Sequence, residues 1–403
     1  MTAVESTRAV ADDVQIVRRV LAHIDAGTTD EGEVWREPVE NYLEPTRFAD
    51  ELRLLRSLPS VFIPSAAIPY RGDHVERVCF GTPLFAVRGN DGRARVFRNA
   101  CRHRGMPLVD GTGCSRALVC RYHGWTYRLD GPLAHVPHAN AFPDLNMSAR
   151  GLVEVTSIEA DGLIVIGALE PDAAQSSLRG CAEEAMAALS DGSPWRDKLL
   201  PAERLVGENS VLLQINWKVL VEQFLEGYHI RSTHHETFFP LQYDDLNVVE
   251  MFGPNSRITF PFRNIERLRN RPESMWTIER RATFVYQLFP NVMLATFPDQ
   301  VIVVVVDPID VDHSRITSYN VAKPEVAEAV TGAAGDAGTA PSLLTRGALE
   351  DNEMSAGVQR GLHAGANEFV EFGRHESAIG HFHATLDQRL ALLTEVCGAE
   401  SRP

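Results

Sequence analysis

Two short stretches carry the residues best equipped for chemistry. Cys101-x-His103 is followed, after a gap of sixteen residues, by Cys120-x-x-His123, so two thiols and two imidazoles arrive on two loops of like design. Thiolates are soft donors that suit iron–sulfur clusters and zinc, and imidazole suits iron as well. Zinc fingers pair Cys with Cys and His with His along the chain, whereas each loop here holds one of each. Gly105 follows the first loop and Gly124-Trp125 the second. Glycine beside a cluster lets backbone N–H groups approach the sulfurs and tune the potential. Such a set, Cys101, His103, Cys120 and His123, could hold an iron–sulfur cluster. A structural zinc site is the alternative, and it would be colourless.

The second constellation is Asn216–Phe238, NWKVLVEQFLEGYHIRSTHHETF. At 100° per residue, Trp217, Leu220, Val221, Phe224 and Tyr228 share an apolar side of a helix, and Glu222, Glu226 and His229 share another. An amphipathic helix with a solvated Glu/His face has this pattern too. His234 follows His229 by five residues, so both can meet one ion only if the helix ends or distorts between them. Ser232 and Thr233 favour such a break. His235 is the rival ligand beside His234.

These loops need elements to hold them. Helical spacing predicts helices over 9–26 and 46–57, and an Ala/Leu-rich one over 177–191. Between them, VERVCFG, PLFAVRG, ARVFRNA, ALVCRYH and WTYRLDG read as strands joined by Gly/Asn/Asp turns, a small β unit closed by the strand GLIVIG at 162–167. Later strands are expected around 209–215, 248–252, 257–262, 283–288 and 301–306, the last a continuous apolar run. Residues 324–341 are low-complexity Ala/Gly/Pro, a loop or lid edge, and a long helical segment covers 343–395. His375, His381 and His383 read as ordinary residues of that final helix.

A chain of 403 residues has room for two or three domains. Its formal charge of −15 argues against nucleic acid and anionic membranes, which need basic patches, and suits a basic redox partner. Six cysteines in this length are no disulfide framework. Cys79, Cys114, Cys181 and Cys397 read as buried or free thiols. The start shows no signal-peptide pattern and no run approaches 18 apolar residues, so a soluble, cytoplasmic protein is expected.

The paired loops resemble the Rieske [2Fe–2S] motif, in which two His replace two Cys on one iron and raise the potential. Glu226-x2-His229-x4-His234, with Asn216-Trp217-Lys218 and Tyr228-His229, resembles the iron motif of the Rieske oxygenases. Gln223 departs from it, since Asn is usual there. Leu349-Glu350-Asp351 with Val358-Gln359-Arg360-Gly361-Leu362 resembles the family's C-terminal motif. Taken together the resemblance, over about residues 45–390, is to the α subunit of Rieske non-haem iron aromatic ring-hydroxylating oxygenases.

That resemblance implies an α+β fold: an all-β Rieske domain over 58–170 and a helix-grip catalytic domain over 171–403, against which an N-terminal helical arm, 1–57, packs. It implies a [2Fe–2S] cluster and a mononuclear Fe(II) on His229, His234 and Asp351, the open face of the triad taking O2 and a small organic substrate. Glu226 would be the catalytic bridge between His229 and the second Rieske histidine, His123, of a neighbouring subunit in a homotrimer. The chain has no Gly-x-Gly-x-x-Gly after a strand, so an NAD(P)H-dependent reductase, with or without a ferredoxin, must supply electrons. The family default is hydroxylation of an aromatic compound. Glu226 stands where many ring hydroxylases have Asp, as in a branch that oxidises N-methyl and quaternary ammonium compounds, so monooxygenation and N-demethylation stay open. Phe252, Phe260, Phe262, Phe284 and Phe289 are candidate pocket residues. The rivals from other classes are a Rieske electron carrier and a zinc-stabilised binding protein.

Overall fold

The structure, a computed structural model, describes residues 10–169, 195, 199, 204–324 and 342–400. The helix expected over 177–191 and all but the first residue of the 324–341 segment lie outside them. Helix α1, Asp13–Ala26, opens on a capping box between Asp12 and Gln15 and ends at Gly27 in the left-handed region. Strand β1, Trp35–Pro38, and the short helix α2, Glu40–Leu43, lead into α3, Pro45–Ser57.

The β unit follows. Strands β2 (Ser60–Pro64), β3 (Asp73–Cys79), β4 (Thr82–Arg88), β5 (Ala94–Arg98), β6 (Thr112–Cys114), β7 (Leu118–Val119), β8 (Thr126–Tyr127), β9 (Leu133–His135), β10 (Glu154–Val155), β11 (Ser157–Ala160) and β12 (Leu163–Ile166) make three antiparallel sheets. Their orders are β10-β5-β4-β3-β6, β7-β8-β9 and β11-β12-β2. The strand expected at 117–123 shrinks to two residues, because the chain there turns to form the second Cys/His loop.

Seven strands build the large sheet: β13 (Arg204–Leu213), β14 (Val248–Phe252), β15 (Asn255–Pro261), β16 (Ala282–Leu288), β17 (Val292–Thr296), β18 (Gln300–Pro308) and β19 (Ser314–Ala322), in the antiparallel order β13-β19-β18-β17-β16-β15-β14. The apolar run in β18 is buried along nearly its whole length, as a central strand covered on both faces must be. One face packs with α1, β2, β3, β4 and β12 in a single apolar cluster. The other packs against helices α4 (Trp217–Glu222), α6 (Leu343–Leu362) and α7 (Ser377–Glu400). A four-residue helix, α5, spans Ile230–Thr233. Strands β17 and β19 were not among the expected strands, although Pro290-Asn291 and Pro298-Asp299 flank the first and Asp310–Asp312 and Pro324 the second.

Two expectations need correction. The helical segment over 343–395 is broken: after α6 the chain passes Gly365, at φ 65°, and forms strand β20, Phe369–Phe372, which pairs antiparallel with β1. That pairing ties the N-terminal arm to the catalytic sheet's helices, and a helix cannot satisfy it. His375 therefore lies before α7, in a 3-10 turn over Arg374–Glu376. His381 and His383 are in α7, but His383 is fully buried among Glu222, Tyr42 and Glu37 rather than an unremarkable helix residue.

Candidate metal centres

The two Cys/His loops share one hydrogen-bond plan. Cys101 N–H donates to Met106 O and Gly105 N–H to Cys101 O, both at 2.9 Å, and Cys120 N–H to Trp125 O and Gly124 N–H to Cys120 O, also at 2.9 Å. Gly105 and Gly124 have φ of 79° and 72°, a conformation that favours glycine. The loops so aligned bury both thiols, at 3% exposure each, and leave His123 exposed. The rings of His103 and His123 stand 4.7 Å apart, with His103 stacked on Trp125. A buried Cys pair beneath a surface His pair fits a two-iron cluster with one iron on thiolates and the other on imidazoles.

Tyr127 was missed from sequence. Its hydroxyl accepts from Arg102 N–H at 2.9 Å and lies 3.2 Å from Cys101 Sγ, so its own hydrogen is free to point at the sulfur. Such a bond favours the reduced, more negative cluster. A hydrogen bond of about 1 kcal/mol corresponds to roughly 40 mV for one electron. Tyr127→Phe should lower the potential by about that amount with the visible spectrum retained, as redox titration would measure. An unchanged potential would remove Tyr127 from the set of tuning groups.

The second centre is built by a helix that ends early. Asn216 caps α4, accepting from Lys218 N–H and donating to Tyr42 O and Val311 O. Trp217 Nε1 and Lys218 Nζ both donate to Glu51 of α3, with Glu51 0% and Lys218 1% exposed. Removing one partner of a buried pair strands the other charge. Glu51→Ala should therefore cost about 3–5 kcal/mol, read from denaturant unfolding. A loss below about 1 kcal/mol would mean that the pair does not anchor α4.

The helix stops at Glu222, so Glu222, Glu226 and His229 do not share a helical face as expected. Glu222 turns inward to Tyr42 and His383. The break has a tertiary cause: Gly227 is pressed on the sheet, where a Cβ would lie 2.6 Å from Asn247 Oδ1 and 3.1 Å from the Phe260 ring. Glu226 and His229 then meet in a turn. One carboxylate oxygen of Glu226 accepts from the N–H groups of Tyr228 and His229, and the other contacts His229 Nδ1.

His229, His234 and Asp351 come together, their ligand atoms all within 4.8 Å of one another. Asp351 Oδ1 lies 2.9 Å from His234 Nε2 and 3.5 Å from His229 Nε2. Each ring is oriented by a carboxylate on its other nitrogen, His229 by Glu226 and His234 by Glu350 at 2.8 Å. A carboxylate on Nδ1 fixes the tautomer that offers Nε2 to a metal. Glu350, whose role was not anticipated, also accepts from Thr237. Burial pushes its carboxyl up, but the hydrogen bonds from His234 and Thr237 outweigh that and hold it below the usual range. Burial pushes His229 down, and Glu226 and Asp351 more than offset it. Exposed His235 stacks on Phe239, away from this group. Gln223, the departure from the family pattern, accepts from Ser355, one turn beyond Asp351 on α6. Two imidazoles and one carboxylate suit a mononuclear iron with open positions. Of the candidate pocket residues, Phe260 and Phe289 face the helices, Phe262 is half-buried just past β15, and Phe252 and Phe284 belong to the core on the opposite face of the sheet.

Two known domains match the chain: a Rieske [2Fe-2S] domain over residues 60–153 and a ring-hydroxylating α-subunit catalytic domain over 197–392. The glycine betaine monooxygenase oxygenase subunit of Chromohalobacter salexigens is 31% identical over 215 residues, 52% of this chain and 45% of that protein. The carnitine monooxygenase oxygenase subunit of Escherichia coli is 28% identical over 206 residues, 50% and 53% of the two chains. These alignments span about half the length of the curated relatives. In solved structures, a quaternary ammonium Rieske monooxygenase with L-carnitine superposes with a TM-score of 0.67 at 19% identity over 89% of this chain and 96% of that one. Naphthalene 1,2-dioxygenase from Rhodococcus sp. gives 0.69 at 18% over 94% and 98%. Those likenesses establish the α+β fold, a Rieske domain beside a catalytic sheet with helices. The chain belongs to the Rieske-type ring-hydroxylating oxygenase large (α) subunits, a family that uses a [2Fe–2S] cluster and a mononuclear iron.

Proposed function

We propose that this chain is the terminal oxygenase component of a multi-component system that oxidises an N-methyl or quaternary ammonium compound, by monooxygenation or N-demethylation. The observation that carries the oxygenase reading is the group His229, His234 and Asp351, each histidine held by its own carboxylate. When bound, the cluster on Cys101, His103, Cys120 and His123 and the iron on the triad supply one-electron transfer and O2 activation. The protein's own part is positional: Glu226 and Glu350 hold the Nδ1 protons, and Gln223 ties the end of α4 to the helix bearing Asp351. Electrons must come from an NAD(P)H-dependent reductase, directly or through a ferredoxin. Glu226 and exposed His123 suit transfer between neighbouring copies in a homotrimer.

Three features favour a cationic substrate over the aromatic default. Two of the relatives named above are oxygenase subunits of glycine betaine and carnitine monooxygenases. Glu226 occupies the bridging position. A net charge of −15 draws cations rather than aromatic acids. Among the described residues no helix is long and apolar enough to cross a membrane. The test is O2 uptake against product formed, with a suitable reductase, over a panel of N-methyl compounds and of aromatic hydrocarbons and acids. Coupled turnover confined to the aromatic arm would overturn the substrate reading.

A further inference from the structure

Where α4 ends, the chain carries a buried polar group outside both metal centres. Glu222, the last residue of the helix, is 8% exposed, and Tyr42 and His383 are 1% and 0% exposed. Glu222 Oε1 accepts from the Tyr42 hydroxyl at 2.7 Å and lies 2.8 Å from His383 Nε2. Burial first, and the Glu222 charge next, raise the Tyr42 hydroxyl well above its ordinary range, so it remains a donor. A carboxylate oxygen only accepts, so the contact at 2.8 Å puts a proton on His383 Nε2. Trp35 and Phe372 lie close to parallel with the His383 ring, 6.4 and 5.9 Å away, and hold its plane. One oxygen of Glu222 is thus gripped from two elements, α2 and α7.

What this grip controls follows in the chain. Pinning the Glu222 side chain fixes the rotation of α4 about its axis. Gln223 still has helical φ and ψ, so its side chain points about 100° further round. There it meets Ser355, one turn beyond Asp351 on α6. The turn that carries Glu226 and His229 leaves from this same point, and Leu225 N–H returns to Glu222 O at 2.9 Å. The rotation of α4 therefore sets both the start of the His229 turn and its tie to the helix bearing Asp351.

We propose that His383 and Tyr42 are positioning residues for the mononuclear centre: by holding Glu222 they bring His229 to the place beside Asp351 where both can bind one iron. This rests on the reading of His229, His234 and Asp351 as the iron site. His383→Leu leaves Glu222 with one donor fewer in a buried place, where a carboxylate short of partners seeks another pose. His383→Gln keeps an N–H that can reach Glu222.

The test is anaerobic iron(II) titration of the cluster-loaded full chain, well below its melting temperature. His383→Leu should bind the mononuclear iron at least about ten-fold more weakly, the lower end of the loss when a group behind a ligand is removed. His383→Gln should stay within about three-fold of wild type, and the cluster's reduction potential should be unchanged in both. A His383→Leu protein that melts lower but binds iron as the wild type does overturns the proposal, and so do equal losses in the two variants. Should His383→Leu not fold, Tyr42→Phe, which removes only a hydroxyl, decides by the same titration: weaker binding upholds the proposal and wild-type binding overturns it. If the wild type takes up no iron beyond its cluster, the iron reading fails, and hydrogen exchange over residues 222–229 decides the positioning. Faster exchange in His383→Leu than in His383→Gln upholds it, and equal exchange overturns it.

Discussion

Replacing Glu226 with Gln should leave a protein that is red and iron-loaded but turns over about 100-fold more slowly or worse, the upper end of effects seen for groups behind a ligating histidine. The reason is local. One carboxylate oxygen is occupied by the N–H groups of Tyr228 and His229, and the other contacts His229 Nδ1. An amide of the same shape lacks the charge and can accept through only one of its two heavy atoms. It can keep the backbone contacts or the histidine contact, but not both as a carboxylate does. The loop should therefore persist while the coupling across His229 is lost. Rapid-mixing absorbance of the reduced protein with O2 and substrate is the measurement. Reoxidation and product formation at the wild-type rate would reduce Glu226 to a loop-capping residue.

Asp351→Ala should remove the mononuclear iron and activity together and spare the visible spectrum of the cluster. Among the described residues, Asp351 is the one carboxylate within reach of the Nε2 atoms of both His229 and His234, and two neutral imidazoles alone hold iron(II) poorly against competing metals. Metal analysis should show one iron fewer per chain and turnover at background. His235→Ala should change neither, because His235 is exposed and stacked on Phe239. Full iron occupancy in Asp351→Ala, or a severe loss in His235→Ala, would reverse the ligand assignment.

How much of this could be read in advance depended on how local each feature is. The Cys/His loops span 25 residues from Cys101 to Trp125 and carry their own turns and glycines, so their design was visible in the sequence. His229 and His234 were legible because they sit on one segment, and Asp351 only through a resemblance, since more than a hundred residues separate it from them. The end of α4 was not legible. Nothing in VEQFLEG stops a helix as firmly as the packing of Gly227 against Asn247 and Phe260 does, and those residues come from β15 and the chain just before β14. Glu350 was hidden for a related reason. Consecutive acids on a helix look like a solvated pair until the fold wedges the His234 ring between them, Glu350 on Nδ1 and Asp351 on Nε2. The break between α6 and α7 belongs to the same class, since β20 exists because β1 is there to pair with it.

The most direct test of the two-centre reading is iron and acid-labile sulfide analysis of the purified wild-type chain, with zinc measured alongside. A [2Fe–2S] cluster on Cys101, His103, Cys120 and His123 plus an iron on His229, His234 and Asp351 requires three irons and two sulfides per chain. Two irons and two sulfides would leave only an electron carrier. A colourless protein with zinc and no sulfide would contradict the account outright.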